Sequence, residues 1–267
     1  MVLLHFVDLD PQLAALRPLG GFFALNTTPP TGGPGEPARL LPTLAEAYSA
    51  APTGANGDPG APGDPPADPV ALRIGKVARA LRAPEPRIAA SIAQQGLAAR
   101  LWSVALGCAV LYDRQPDLAP GLLRWDPHGS APDDLWLTEV RARPADVETL
   151  AATVLHGHLE PLAAALRARH RLAPGLLRGN AASALAGAAR QLDGWARAHG
   201  RPDAAARTRA LTAELLAHPL LAGTGTLTGT AFRRRSCCLY HRVPGGGVCG
   251  DCCFARPPRS SARGPSG

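Results

Sequence analysis

Two adjacent cysteines, Cys237 and Cys238, are followed after ten residues by Cys249 and after two more by Cys252. Thiolates are soft anionic ligands, and four of them complete either a tetrahedral Zn²⁺ site or a [2Fe–2S] cluster, so residue types leave both open. The adjacent first pair departs from the two Cys-x2-Cys arms of a zinc ribbon and suits separate contacts to a two-iron core. Pro244, Gly245, Gly246 and Gly247 allow the chain to reverse and return the second pair to the first, and Gly250 keeps the last turn small. Cys253 follows directly and reads as a free thiol, a spare ligand or a small packed side chain. Cys108 falls on an apolar helical stripe, reads as a core thiol and is left out of the site.

Other polar residues carry weaker signals. His156 and His158 are two apart and do not share a helical face, which disfavours a metal pair. His128 beside a Pro/Gly turn reads as a solvated loop residue, and Tyr240 and His241 read as packed or solvated rather than as proton donors. The run GTGTLTGT at 223–230 lacks the Lys and following Ser/Thr of a phosphate-binding loop and reads as a flexible approach to the cysteines.

Charge is distributed unevenly. The 267 residues hold 28 Lys plus Arg against 21 Asp plus Glu, a formal +7. Residues 1–100 and 101–200 balance, at 8 against 8 and 10 against 10, and 201–267 carries 10 basic to 3 acidic residues. A uniformly basic nucleic-acid coat is therefore not expected, and aromatic residues, 4% of the chain, do not interleave with the basic ones as a nucleic-acid surface would require. Arg233, Arg234, Arg235 and Arg242 beside the cysteines are candidate contacts for an anionic substrate or an electron donor.

These residues need a body to hold them. At 46% hydrophobic and 18% charged the chain can build a core and is not expected to be disordered. Ile88, Ile92, Leu97, Leu101, Val104, Cys108 and Leu111 predict a helix over 87–113 buried on one side. GLLRWDPHG at 121–129 and DLWLTEVRA at 134–142 predict a small antiparallel hairpin with Trp125 and Trp136 as packing surface. The apolar spacing over 146–168 predicts a helix that Pro161 kinks or divides. Asn180 or Ser183 is expected to cap the next helix, and Asp203 another that reaches Ala217.

The expected organisation is a segment at 1–49 packed on the main domain, a Pro/Gly/Asp-rich loop or linker at 50–69, a helix-rich body at 70–230, a cysteine motif at 231–254 and a flexible tail at 255–267. The opening MVLLHFVDLD lacks a basic start and places acids where a signal peptide continues its apolar region, and no apolar run is long enough to span a membrane. A cytoplasmic location is expected, where clustered cysteines hold metals more often than disulfides.

Beyond spacing, SCCLYHRVPGG…CGDC resembles the C-C-x10-C-x2-C ligand set of the ferric iron reductase FhuF-like family, and LAARLWS at 97–103 and RGNAASALAGAARQL at 178–192 extend the likeness. Arg178 stands where relatives often carry a bulky aromatic residue, and Cys253 where proline is frequent. The resemblance, rather than the spacing, selects [2Fe–2S] over zinc and implies Cys237, Cys238, Cys249 and Cys252 as ligands. The elements read along the chain predict an α+β fold, a predominantly helical body with a small antiparallel β element, and the resemblance implies that its C-terminal cysteine-ligated loop holds an iron-sulfur cluster. The implied activity is one-electron reduction of ferric iron in siderophores. Its expected partners are the ferric siderophore and an unidentified electron donor, with peripheral association to uptake machinery and no nucleic acid. A non-enzymatic iron-sulfur electron carrier and a zinc-stabilised basic interaction module are the alternatives.

Overall fold

The computed structural model describes residues 9–27, 41–50 and 68–258. Most of the expected linker (51–67), the beginning and much of the 1–49 segment (1–8 and 28–40) and the end of the tail (259–267) lie outside the described residues.

Helix α1 (Leu9–Ala15) leads through a 3₁₀ turn at Arg17–Leu19 toward α2 (Leu44–Ser49). Thr43 and Glu46 close a capping box on α2: the Thr43 hydroxyl accepts from the Glu46 N–H, and the Glu46 carboxylate accepts from the Thr43 N–H. Asp68 caps α3 (Pro69–Leu81) by accepting from the Val70 and Ala71 N–H groups, with Pro69 pre-set for the first turn. Helix α4 (Pro86–Tyr112) occupies the expected 87–113 segment but is buried on nearly every side from Leu97 to Val110. Its position explains this: α1, α3 and other helices pack on it from different directions, so small Ala residues share its surface with Trp102 and Leu106. Cys108 is fully buried there, and burial pushes its thiol up to about 12, which keeps it protonated.

Strands β1 (Gln115–Pro116), β2 (Leu123–Trp125), β3 (Leu135–Leu137) and β4 (Ala142–Arg143) form two small antiparallel pairs. The expected hairpin is β2–β3, with Leu123 opposite Leu137 and Trp125 opposite Leu135. Its loop is tied to the N-terminal segment by a buried ion network. The Arg100 guanidinium donates to Asp134 and to the carbonyls of Gly21, Phe22 and Ala24, while Arg73 reaches the other Asp134 oxygen at 3.2 Å.

Helix α5 (Val147–Ala151) widens into a π-helical stretch at Ala152–Leu159 before α6 (Glu160–Arg169) resumes. Pro161 lacks an N–H and its ring crowds the carbonyl four residues back, so the helix loosens immediately ahead of it. His156 is exposed and pairs with Glu160, whereas His158 is buried.

Helix α7 (Pro174–Ala198) corrects an expectation: Asn180 and Ser183 lie inside it rather than at its cap. The helix starts seven residues earlier than an Asn180 cap would place it, because Pro174 suits the first turn and its missing N–H is not needed there. Pro202 likewise opens α8 (Pro202–Ala217), which puts Asp203 in the first turn instead of at the cap. The 223–230 run is not a loose approach. Residues Gly225–Thr228 form β5, which pairs with β6 (Ala231–Arg234) across a turn where Gly229 takes φ +61°. Alternating burial of β6 turns Phe232 and Arg234 inward and leaves Arg233 outside.

The fold is predominantly helical with small antiparallel β elements. In the core α7 packs along α4 and α8 along α7, and Leu13, Leu16 and Phe23 of the N-terminal segment join the same apolar cluster as Trp102 and Leu185. Each fully buried Leu or Phe of this kind contributes about 1.5–3 kcal/mol. No described helix is long and apolar enough to cross a membrane.

Candidate metal centre

The cysteine loop leaves β6 at Arg234 and settles on the surface formed by α4 and α7. Arg234 is only 2% exposed. Its guanidinium donates to Asn180 Oδ1 at 2.6 Å, to the Ser236 carbonyl at 3.0 Å and to the Leu176 carbonyl at 3.4 Å. Asn180 donates to the Ser91 carbonyl and hydroxyl, and the Ser91 hydroxyl donates to the Cys238 carbonyl at 2.8 Å. The first cysteine pair is thus connected by buried hydrogen bonds to both long helices. Such a network holds position well because each member left unpaired would bear its full desolvation cost.

The second arm is fixed by Asp251. Its carboxylate accepts from the Ser183 hydroxyl at 2.6 Å and pairs with Arg190 at 3.1 Å, and its carbonyl accepts from the Arg234 N–H at 3.0 Å. Gly179 completes the seat. A Cβ there would lie 2.2 Å from Ser236 Oγ and 3.2 Å from the Arg234 guanidinium, so the loop could not approach any larger residue this closely.

Both arms make the same local turn around sulfur. The N–H of Leu239 donates to Cys237 Sγ at 3.2 Å, and that of Phe254 to Cys252 Sγ at 3.4 Å. The Tyr240 backbone helps to lower the Cys238 thiol, and the Asp251 backbone acts in the same direction on Cys249. The Leu239 and Phe254 donors each lie two residues after their cysteine. Leu239 sits at φ +71°, a left-handed conformation that costs a non-glycine residue roughly 1–2 kcal/mol and that turns the chain sharply after the adjacent pair.

Across the arms, Cys238 Sγ and Cys249 Sγ meet at 3.5 Å. Hydrogen bonds from the Cys237 and Cys249 thiols hold Cys238 well below the ordinary thiol range, against the effect of burial and with help from the Arg234 charge. The same contacts, with burial, push Cys237 and Cys249 upward. His241 Nδ1 lies 3.2 Å from Cys237 Sγ, and its ring is edge-on to Phe254. Thiolates on one zinc at about 2.3 Å lie about 3.8 Å from one another. The Cys238–Cys249 pair, at 3.5 Å, is somewhat closer than that, and among the described residues no three His, Cys, Asp or Glu side chains gather into a metal-holding group. The donor chemistry nevertheless fits a thiophilic group: soft sulfurs from two arms, partly or fully buried, with one in each arm accepting a backbone N–H.

The four basic candidates separate. Arg234 does not face outward and instead anchors the loop, which corrects its reading as a substrate contact. Arg233, Arg235 and Arg242 are exposed, Arg242 pairing with Glu85 at 3.0 Å. Sequence reasoning missed Ser91 and Asp251 as anchors and misplaced Asn180 and Ser183 as caps. The signal was present in RGNAASALAGAARQL, where Gly179, Asn180, Ser183 and Arg190 are the residues that receive the loop.

Residues 234–254 match the family described as the FhuF 2Fe-2S C-terminal domain. The match begins at the buried arginine and ends at the last N–H donor. The motifs at 97–103 and 178–192 lie outside it. No curated protein matches the chain.

Proposed function

We propose that Cys237, Cys238, Cys249 and Cys252 hold a [2Fe–2S] cluster and that the chain is a cytoplasmic reductase of ferric iron in siderophores. The observation that carries the ligand assignment is the matching turn of the two arms, in which Cys237 and Cys252 each accept from the N–H two residues on while Cys238 Sγ and Cys249 Sγ meet between them at 3.5 Å. When bound, such a group supplies one-electron redox chemistry, and Fe³⁺ in the chelate, the substrate, leaves as more weakly held Fe²⁺.

The protein's own part is positioning and electrostatics. The Leu239 and Phe254 N–H groups offset negative charge on the sulfurs, and Arg234 adds a fixed positive charge behind them. On this reading residues 231–254 are the cluster-binding motif and 70–230 the body that seats it. Room for a substrate lies beside the loop. A groove of about 310 Å³ between α4 and α7 is walled by Cys249, Gly250 and Asp251 and bordered by Gln95, Arg190 and Gln191. A chelate held there would lie against a proposed ligand residue.

Anaerobic purification with iron, acid-labile sulfide, zinc and visible-absorption measurements tests the reading. Two irons and two sulfides per chain are expected, lost on replacing any of the four cysteines by Ala and kept in Cys253→Ala. Stoichiometric zinc without iron or sulfide would sink the cluster. With a cluster present, the reduced chain should be reoxidised rapidly by ferric siderophores. No acceleration over a cluster-free control would favour an electron carrier with another acceptor.

A further inference from the structure

The outward side of the cysteine loop differs from the rest of the described surface. Three large apolar side chains are exposed among the described residues, Phe22, Val248 and Phe254, and two of them flank candidate ligands. Val248, 40% exposed, precedes Cys249, and Phe254, 37% exposed, donates its N–H to Cys252. The Phe254 ring lies 5.5 Å from that of His241, which itself meets Cys237 Sγ.

Around this centre Arg233 and Arg256 are exposed, and Arg242 is exposed and paired with Glu85 of the helical body at 3.0 Å. Arg233 is held at this face by its contact with the Cys253 carbonyl at 3.4 Å. The only carboxylate within residues 231–258, Asp251, is buried and turned toward Ser183 and Arg190. The loop therefore contributes apolar surface and positive charge to its outer face, and no acidic side chain. An apolar centre with a charged rim is the anatomy of an interface, and the rim selects a partner of opposite sign and speeds its encounter.

The geometry points to this face, centred on Phe254 and Val248, as the docking surface for an acidic one-electron carrier protein. The inference rests on the cluster reading above and names the donor side of the same site. The carrier loses one electron and the site gains it, with no bond made or broken. Phe254 and Val248 are not among the residues that line the groove.

Calorimetric titration of the iron-loaded full chain with an oxidised plant-type [2Fe–2S] ferredoxin, a small acidic carrier, reads binding without turnover. Saturable binding is expected, weakening steeply as salt is raised. It should fall about tenfold in Phe254→Ser, in Val248→Ser and in the double variant Arg233→Glu/Arg256→Glu, each retaining the parent's visible spectrum. Affinity unchanged in variants that retain the spectrum, or indifferent to salt, overturns the docking surface. Tighter binding of duplex DNA than of ferredoxin, abolished by the same variants, overturns it in favour of a nucleic-acid face. A chain that takes up no iron and sulfide overturns the cluster reading instead, so the two failures are distinguishable.

Discussion

Arg233 and Arg234 are neighbours of the same type on one strand, and their environments make them unlike. Arg234 donates to a side-chain oxygen and two carbonyls inside the molecule, and Arg233 lies outside. Arg234→Ala leaves Asn180 and those carbonyls without their donor and should cost about 3 kcal/mol in chemical denaturation, whereas Arg233→Ala should change stability by no more than about 0.5 kcal/mol. His158 supplies a pH test. It is fully buried, accepts from the Tyr48 hydroxyl at Nδ1 and donates from Nε2 to the Leu118 carbonyl, an arrangement made for the neutral ring. Burial depresses its pKa to about 4 from the ordinary 6.5. Below 6.5 the unfolded chain takes a proton that the folded chain refuses. The stabilisation from His158 is therefore complete above pH 6.5 and declines as pH falls toward 4, by about 3 kcal/mol in all. In His158→Gln that part of the pH dependence should vanish from the denaturation midpoint measured across pH 4–7.

At the scale of elements, the cysteine site is a loop laid on a helix pair. The contact depends on Gly179, because the α7 backbone there lies directly under Ser236 and Arg234. Gly179→Ala improves helix propensity by up to about 1 kcal/mol, yet its methyl must displace the loop, at a typical overpacking cost of about 1–3 kcal/mol. The expected outcome is a chain whose helical content by circular dichroism is unchanged and whose iron content after reconstitution is reduced. Full retention of iron would show that the seat does not govern the site. The same scale explains why helix ends were poorly legible. Asn and Ser are good caps in isolation, but Pro174 already starts α7, and Asn180 and Ser183 are drawn into it because Ser91, Arg234 and Asp251 satisfy their polar groups.

At the scale of the whole molecule, the N-terminal segment and the helical body share one core. Phe23, fully buried, lies against Gly107 of α4, with its ring 3.0 Å from where a Cβ would stand. Phe23→Ala should cost about 3–5 kcal/mol in a single unfolding transition, because the cavity opens against the central helix. A separate early transition for the segment would show that it does not fold with the body. The four-cysteine spacing, the helical periodicities, the β2–β3 hairpin and the basic bias of the last quarter of the chain were legible from residue order alone. They follow from local chemistry: side-chain periods of 3.6 and 2, turn-forming glycines and the ligand character of sulfur. Burial of α4 on nearly all sides, the inward turn of Arg234 and the seating of both cysteine arms by Asn180, Ser183 and Asp251 were decided by tertiary structure. Those features arise between segments up to 147 residues apart, as in the bond from Ser91 to Cys238, where only folding determines which polar groups lose water and must find each other.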